Sequence, residues 1–173
     1  QRKGFPTLVD AFARMAAECP NAVLRIAGDG ATMGAVRGRV ASHGLEDRVD
    51  LLGKLPHADV LQEMVWADAF ALIGWDEPFA TVFSEAASAG KPIVCCEDGG
   101  FTDVLENGVQ GFTVPPRNVD RATEAIGRLL GDCALRERMG RAAKQLFNTR
   151  LRWDHNAAAM TEIFRQAIAA AAS

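Results

Sequence analysis

The chain has 173 residues and a formal charge of −3, from 19 Lys plus Arg against 22 Asp plus Glu, and 49% of its residues are apolar. A domain of this length buries roughly 70% of the surface its unfolded chain exposes, so one sizeable core is expected, and disordered or low-complexity chains are excluded. The slightly acidic balance lacks the basic footprint that a nucleic acid selects, and no apolar run reaches the ~18 residues of a membrane helix. The expectation is a soluble, cytoplasmic protein.

Periodicity alternates between helical patterns and short apolar runs. The pattern predicts helix 7–18, strand 22–27, helix 31–43, strand 48–53 and helix 57–66. Strand 69–74, helix 81–89, strand 92–96, helix 101–106 and strand 111–114 follow. Beyond them the pattern is helical only, over 118–130, 133–148 and 153–171, with Asn118 as a cap and Gly131 as a stop. The five apolar runs VLRIAG, VDLLG, AFALIG, PIVCC and GFTV are joined by helices, which predicts a doubly wound α/β fold: a mostly parallel sheet covered on both faces, with extra C-terminal helices. With no internal repeat or linker, residues 1–173 read as one domain. The chain starts at Gln1, without a Met, on a loop entering a helix, so the expectation is a processed protein or a piece of a longer one.

Cys19, Cys95, Cys96 and Cys133 form no C-x-x-C pair, and two lie inside the apolar run PIVCC, which fits reduced, structural thiols. His43, His57 and His155 stand apart in the sequence and read as surface residues. No H-x3-H or Asp-x-Asp arrangement exists, so no metal site is expected. Ser84 lacks a G-x-S-x-G elbow, which removes a hydrolase triad.

In doubly wound sheets ligands bind beyond the carboxyl ends of the strands, so the loops after each strand matter most. The densest signal among them is WDEPFATVFSEAASAGKP, residues 75–92. Pro78 disfavours helix at Glu77, so the helix begins near Ala80 and directs its first free N–H groups past the sheet edge, where they make an anion site. Glu85 lies four residues beyond Thr81, roughly 6 Å along the helix, the distance from a diphosphate to its ribose. A carboxylate accepts two hydrogen bonds from a vicinal diol, and Glu77 lies on the other side of the phosphates. The competing reading makes both carboxylates solvated residues that merely favour the helix dipole. The Gly28-Asp29-Gly30 turn does not complete a dinucleotide fingerprint, because its spacing carries an extra residue and the next strand ends in Gly53-Lys54. Those glycines either make a tight βα turn or line a ligand cleft. Trp75 either stacks on a ligand or covers the core.

Glu77, Pro78, Phe79, Glu85, Ala86, Gly90 and Pro92 fall on a pattern that resembles the E-x7-E signature of the retaining GT-B glycosyltransferases of family 4. The resemblance extends through KGFPTLVDAF at 3–12, LRIAGDG at 24–30, RVDLLGKLP at 48–56, EDGGFTDVLENGVQGFTVPP at 97–116 and LGDCALRERMGRAA at 130–143. It implies the C-terminal, Rossmann-like donor-binding half of such an enzyme. Its substrate would be a nucleoside diphosphate sugar, with no metal or other cofactor. Its partner would be an N-terminal acceptor-binding domain, which is also where any peripheral membrane contact would lie.

By the same resemblance Glu85 holds the ribose, and Glu77, the catalytic residue, meets the transferred sugar. Backbone N–H groups of Phe79, Ala80, Thr81 and Val82 meet the sugar and diphosphate, and Lys3 neutralises the leaving diphosphate. Gly28 and Gly30 line the donor cleft, and Lys54 and Leu55 contact the base through main chain. There are departures too. The family's arginine about five residues before the K-G lysine and its first strand are both absent from this sequence, with Arg2 as partial substitute for that cation. Ala80 replaces a usual glycine, Gly74 a usual serine, and Cys95-Cys96 a usual small-residue pair. Without an acceptor domain, the isolated chain is expected to transfer no sugar. The alternatives are a non-catalytic nucleotide-sugar binding module and an epimerase or phosphorylase of the same fold.

Overall fold

A computed structural model describes residues 3–171 of the chain, so Arg2 lies outside the described residues. The elements run α1 (Phe5–Met15), β1 (Leu24–Ala27), α2 (Met33–Ser42), β2 (Val49–Gly53), α3 (His57–Trp66), β3 (Phe70–Leu72) and α4 (Thr81–Ser88). They continue with β4 (Ile93–Cys96), a 3-10 turn (Gly100–Asp103), β5 (Gly111–Val114), α5 (Val119–Gly131), α6 (Cys133–Leu146), a π-helical turn (Phe147–Leu151) and α7 (Trp153–Ala171).

Local chemistry explains where these elements start and stop. Helix α1 starts two residues before the predicted Thr7, with Pro6 in its first turn, where a missing N–H leaves no partner unsatisfied. It stops at Met15, short of the predicted 18, and the Arg48 guanidinium takes up carbonyls beyond it, reaching Cys19 O at 2.7 Å and Ala22 O at 2.8 Å. Asn118 caps α5 as expected, its side chain accepting from Arg121 N at 3.0 Å. Asp132 ends α5 and caps α6, accepting from Leu135 N at 2.9 Å, so one residue turns the chain between two helices. The helix predicted over 101–106 is only the four-residue 3-10 turn, because the chain must bend again at Asn107-Gly108 before β5.

All strand pairs are parallel, but the five strands are hydrogen-bonded as two sheets, β1-β2 and β3-β4-β5, and not as the one sheet expected. Between β1 and β3 lies a cavity of about 820 Å³ lined by Leu24 and Ile26 on one strand, Phe70 and Leu72 on the other, and Leu8 and Met64 from the helices. Helices cover both faces. One core joins α1, α2 and α5 to the strands through Val9, Phe12, Val36, Val94, Ala122 and Leu129. The other packs α3 and α4 on the opposite face through Met64, Phe83, Ala86, Ile93 and Phe101.

Strand β4 is buried along its whole length, with alternate side chains entering opposite cores. Burial pushes the Cys95 thiol up to about 12, with a further contribution from Cys96. Cys96 is also pushed up to about 12, by burial and then by its hydrogen bond to Asp98. Both thiols therefore stay protonated, whereas Cys19 is half-buried and Cys133 exposed. Helix α7 has its described side chains exposed, including Trp153, Met160, Ile163, Phe164 and Ile168. No helix among the described residues is long and apolar enough to cross a membrane.

Two outcomes follow from this packing. A disulfide-exchange reagent at pH 8 should titrate Cys19 and Cys133 in the native protein and reach Cys95 and Cys96 only after denaturation. On α6, a Cβ at Gly140 would lie 2.3 Å from the Gly90 carbonyl oxygen, whereas one at Gly127 on α5 would meet nothing within 4 Å. Urea unfolding should show Gly140→Ala losing about 1–3 kcal/mol despite its better helix propensity, and Gly127→Ala gaining up to about 1 kcal/mol.

Candidate functional site

The loops singled out in the sequence all leave the carboxyl ends of strands. Gly28–Gly30 follow β1, Lys54 and Leu55 follow β2, Trp75–Ala80 follow β3, and Glu97–Phe101 follow β4. Lys3 joins them because α1 begins there. Gly4 has φ 74°, and a Cβ on it would lie 2.6 Å from the Ile73 carbonyl oxygen, so only glycine lets α1 start against the end of β3. That contact delivers Lys3, whose Nζ lies 2.8 Å from Glu77 Oε2. Lys3 is about half exposed, and Glu77 retains 18% of its side-chain accessibility.

Helix α4 begins at Thr81, with Ala80 at the N-cap in extended conformation and no side-chain cap. The N–H of Phe83 is the first to return to a carbonyl, that of Ala80, at 3.1 Å, which leaves the N–H groups of Thr81 and Val82 directed off the helix tip. The tip combines the positive end of the helix dipole with free donors. Glu85 stands one turn further along with 26% of its side-chain accessibility, and its Oε1 lies 3.2 Å from His57 Nε2.

Sequence reading treated His57 as an isolated surface residue. It is at the surface, 70% exposed, but α3 and α4 pack side by side and bring its ring to Glu85. The two histidines outside this region also have partners, His43 on Asp10 at 2.9 Å and His155 on the Thr149 carbonyl at 3.1 Å. Among the described residues, no three His, Cys, Asp or Glu side chains converge as a metal-holding group.

The Glu77 loop is held from below. Gly100 N donates to the Glu77 carbonyl at 3.0 Å, and a Cβ on Gly100 would lie 1.7 Å from the Pro78 carbonyl oxygen. Phe101 stacks on Phe83 with centroids 4.7 Å apart, and Phe79 packs on Phe101 at 5.6 Å. Phe83 in turn meets Phe70 of β3 edge-on at 5.9 Å. This aromatic column runs from the sheet to the helix tip and was not foreseen. Each of its ring contacts joins two of three separate segments, β3, residues 75–92 and the 3-10 turn, so no local spacing could have predicted them.

Trp75 is half-buried under the Arg117 guanidinium, 4.4 Å from its ring centroid. Arg117 has φ 57° and nearby Asp76 has φ 55°, the two left-handed non-glycine residues of the described chain. The Gly28-Asp29-Gly30 turn takes φ 143° and 150° at its glycines, with the Asp29 carboxylate accepting from Gly30 N at 2.7 Å. Gly28 N donates to the Gly53 carbonyl at 2.7 Å, tying this turn to the β2 loop that carries exposed Lys54 and half-buried Leu55.

A family model described as "Glycosyl transferases group 1" matches residues 1–146. The chain belongs to the group 1 glycosyltransferases. Among curated relatives, glycogen synthase of Mycobacterium tuberculosis (strain CDC 1551 / Oshkosh) is 31% identical over 162 residues, covering 94% of this chain and 39% of that protein. A GDP-mannose-dependent alpha-(1-6)-phosphatidylinositol monomannoside mannosyltransferase of the same organism is also 31% identical, over 171 residues, covering 95% of this chain and 44% of that one.

The fold of this group 1 domain matches solved structures. Sucrose-phosphate synthase from Thermosynechococcus elongatus superposes with a TM-score of 0.86 at 28% identity, over 98% of this chain and 43% of that one. Anabaena Alr3699/HepE in complex with UDP-glucose superposes with a TM-score of 0.84 at 26% identity, over 95% of this chain and 46% of that one. The domain is thus mixed α/β with parallel sheets, as in GT-B glycosyltransferases, and it spans less than half the length of these relatives.

The glycine contact beneath the Glu77 loop is directly testable. Replacing Gly100 with Ala forces the loop away from the 3-10 turn, and the expected cost is about 1–3 kcal/mol of stability in urea unfolding. In hydrogen exchange the same variant should lose protection of the amide at position 100, which donates to the Glu77 carbonyl, and of the Phe83 amide, which donates to Ala80, while the β1-β2 sheet exchanges as in the wild type.

Proposed function

We propose that this group 1 domain binds the donor of a retaining glycosyltransferase, which moves a sugar from a nucleoside diphosphate sugar to an acceptor. The observation that carries the proposal is the uncapped tip of α4, with the Lys3–Glu77 pair beside it and Glu85 one turn along the helix. The sugar–diphosphate bond breaks with its electron pair passing to the diphosphate oxygen, so negative charge grows on the phosphate side as the sugar becomes electron-poor. Donors already aimed at that oxygen need no rearrangement at the moment of reaction, which makes them effective catalysts. The N–H groups of Thr81 and Val82, with those of Phe79 and Ala80 on the approach, serve the diphosphate, and Lys3 offsets its charge in place of a divalent ion.

In this reading Glu77 meets the junction of sugar and diphosphate, which its contact with Lys3 supports. There it accepts hydrogen bonds from sugar hydroxyls and faces the developing positive charge. Glu85 accepts from the ribose hydroxyls. Gly28 and Gly30 open the far wall of the cleft, and the main chain at Lys54 and Leu55 meets the base. Retention rests on the resemblance to the E-x7-E transferases. Support for a nucleotide sugar comes also from Alr3699/HepE, whose structure is in complex with UDP-glucose.

The whole enzyme is longer than this domain, as its relatives are. Its remaining polypeptide supplies a strand for the gap between β1 and β3 and an acceptor-binding domain facing the α4 tip. The domain by itself therefore binds donor without transferring sugar.

The test is calorimetry of UDP, GDP, ADP and their sugars, followed by transfer assays with the complete protein. At least one nucleoside diphosphate should bind, and Glu77→Gln should lower kcat by about 10²-fold or more with a smaller change in KM. Chelation with EDTA should leave the rate unchanged. Binding without turnover in the complete protein would instead identify a non-catalytic module, and release of free sugar or sugar phosphate would identify the epimerase or phosphorylase reading.

A further inference from the structure

We propose that His57 is a positioning residue, which holds the Glu85 carboxylate in the orientation that accepts a ribose diol. The inference rests on the reading of Glu85 given above and adds a residue to it. Among the described residues His57 is the side-chain partner of Glu85, at 3.2 Å from Nε2 to Oε1, and no Lys or Arg pairs with that carboxylate.

The contact comes from rigid elements. Pro56 (φ −56°, ψ 149°) sets the start of α3, His57 is the helix's first residue, and α3 packs directly on α4. The imidazole is thus aimed by helix packing rather than by a free loop. Because a carboxylate only accepts, the ring nitrogen facing it carries the proton.

The choice of histidine has a chemical consequence. An arginine at this place would bind both carboxylate oxygens side by side and compete with a diol for the same lone pairs. A single N–H donor occupies one of roughly four acceptor sites and leaves the rest for two hydroxyls. Glu85 is three-quarters buried on the helix face, so fixing its rotamer before the ligand arrives removes an ordering cost from binding. Among the described residues His57 forms no hydrogen bond or ion pair with the helix tip, Lys3 or Glu77, so its effect should be confined to the nucleoside end of the ligand.

Calorimetry with UDP, GDP and ADP identifies the nucleotide that binds most tightly, and inorganic pyrophosphate is the probe that lacks a ribose. The expected result for His57→Ala is a two- to tenfold weaker affinity for that nucleotide, the range of one hydrogen bond, with pyrophosphate affinity unchanged. His57→Gln, which restores a donor, should recover most of the loss, and His57→Ala should add nothing in a Glu85→Ala background. Since His57 is exposed, circular dichroism and melting should match the wild type. If Glu85→Ala loses nucleotide affinity but His57→Ala does not, the positioning role is wrong and the reading of Glu85 stands. An equal loss for pyrophosphate would assign His57 to the phosphates or the fold and overturn the proposal. If Glu85→Ala changes nothing, or if none of the three nucleotides binds the wild type, the ribose reading falls and takes this one with it.

Discussion

Close approach of backbone to backbone at the carboxyl ends of β3 and β4 organises the functional end of this domain. Gly4 admits the Ile73 carbonyl and Gly100 admits the Pro78 carbonyl at distances that no side chain would allow. The first contact sets where α1 begins, and therefore where Lys3 stands. The second pins the loop that carries Glu77 and leads into α4. With the aromatic column of Phe70, Phe83, Phe101 and Phe79 filling the space beneath, the helix tip is supported by the sheet itself. Support of the helix tip is thus a property of packing and needs no network of buried polar groups; among the described residues no polar or charged residue is buried.

The charges at the site are already partnered before a ligand arrives. Lys3 meets Glu77, and Glu85 meets His57, so neither carboxylate faces its neighbours unpaired. The Lys3–Glu77 pair is half exposed on the lysine side, where solvent screening keeps such a pair weak. A weak pair of this kind exchanges partners at little cost.

Two apolar surfaces stand open among the described residues. The unpaired edges of β1 and β3 face one another across an apolar gap, and helix α7 carries an apolar stripe that the rest of the chain leaves exposed. The group 1 relatives are more than twice as long as this domain. Surfaces that are apolar and open on one domain are ordinarily covered by further polypeptide.

The sequence by itself determined the alternation of strands and helices, their parallel pairing, and the gathering of the candidate site loops at one end of the strands. Apolar runs too short for helices, joined by amphipathic segments, admit little else. It also marked Glu77, Glu85 and the Pro78 break before α4, since these depend on spacing within one segment. Only the tertiary structure decided that the strands form two sheets with a gap between them, because an unpaired edge leaves no trace in local periodicity. The His57–Glu85 contact, the Lys3–Glu77 pair and the stacking of Arg117 on Trp75 were likewise settled only in three dimensions. Each joins residues at least 28 positions apart, and at such separations helix packing and close glycine contacts, not local propensity, choose the neighbours.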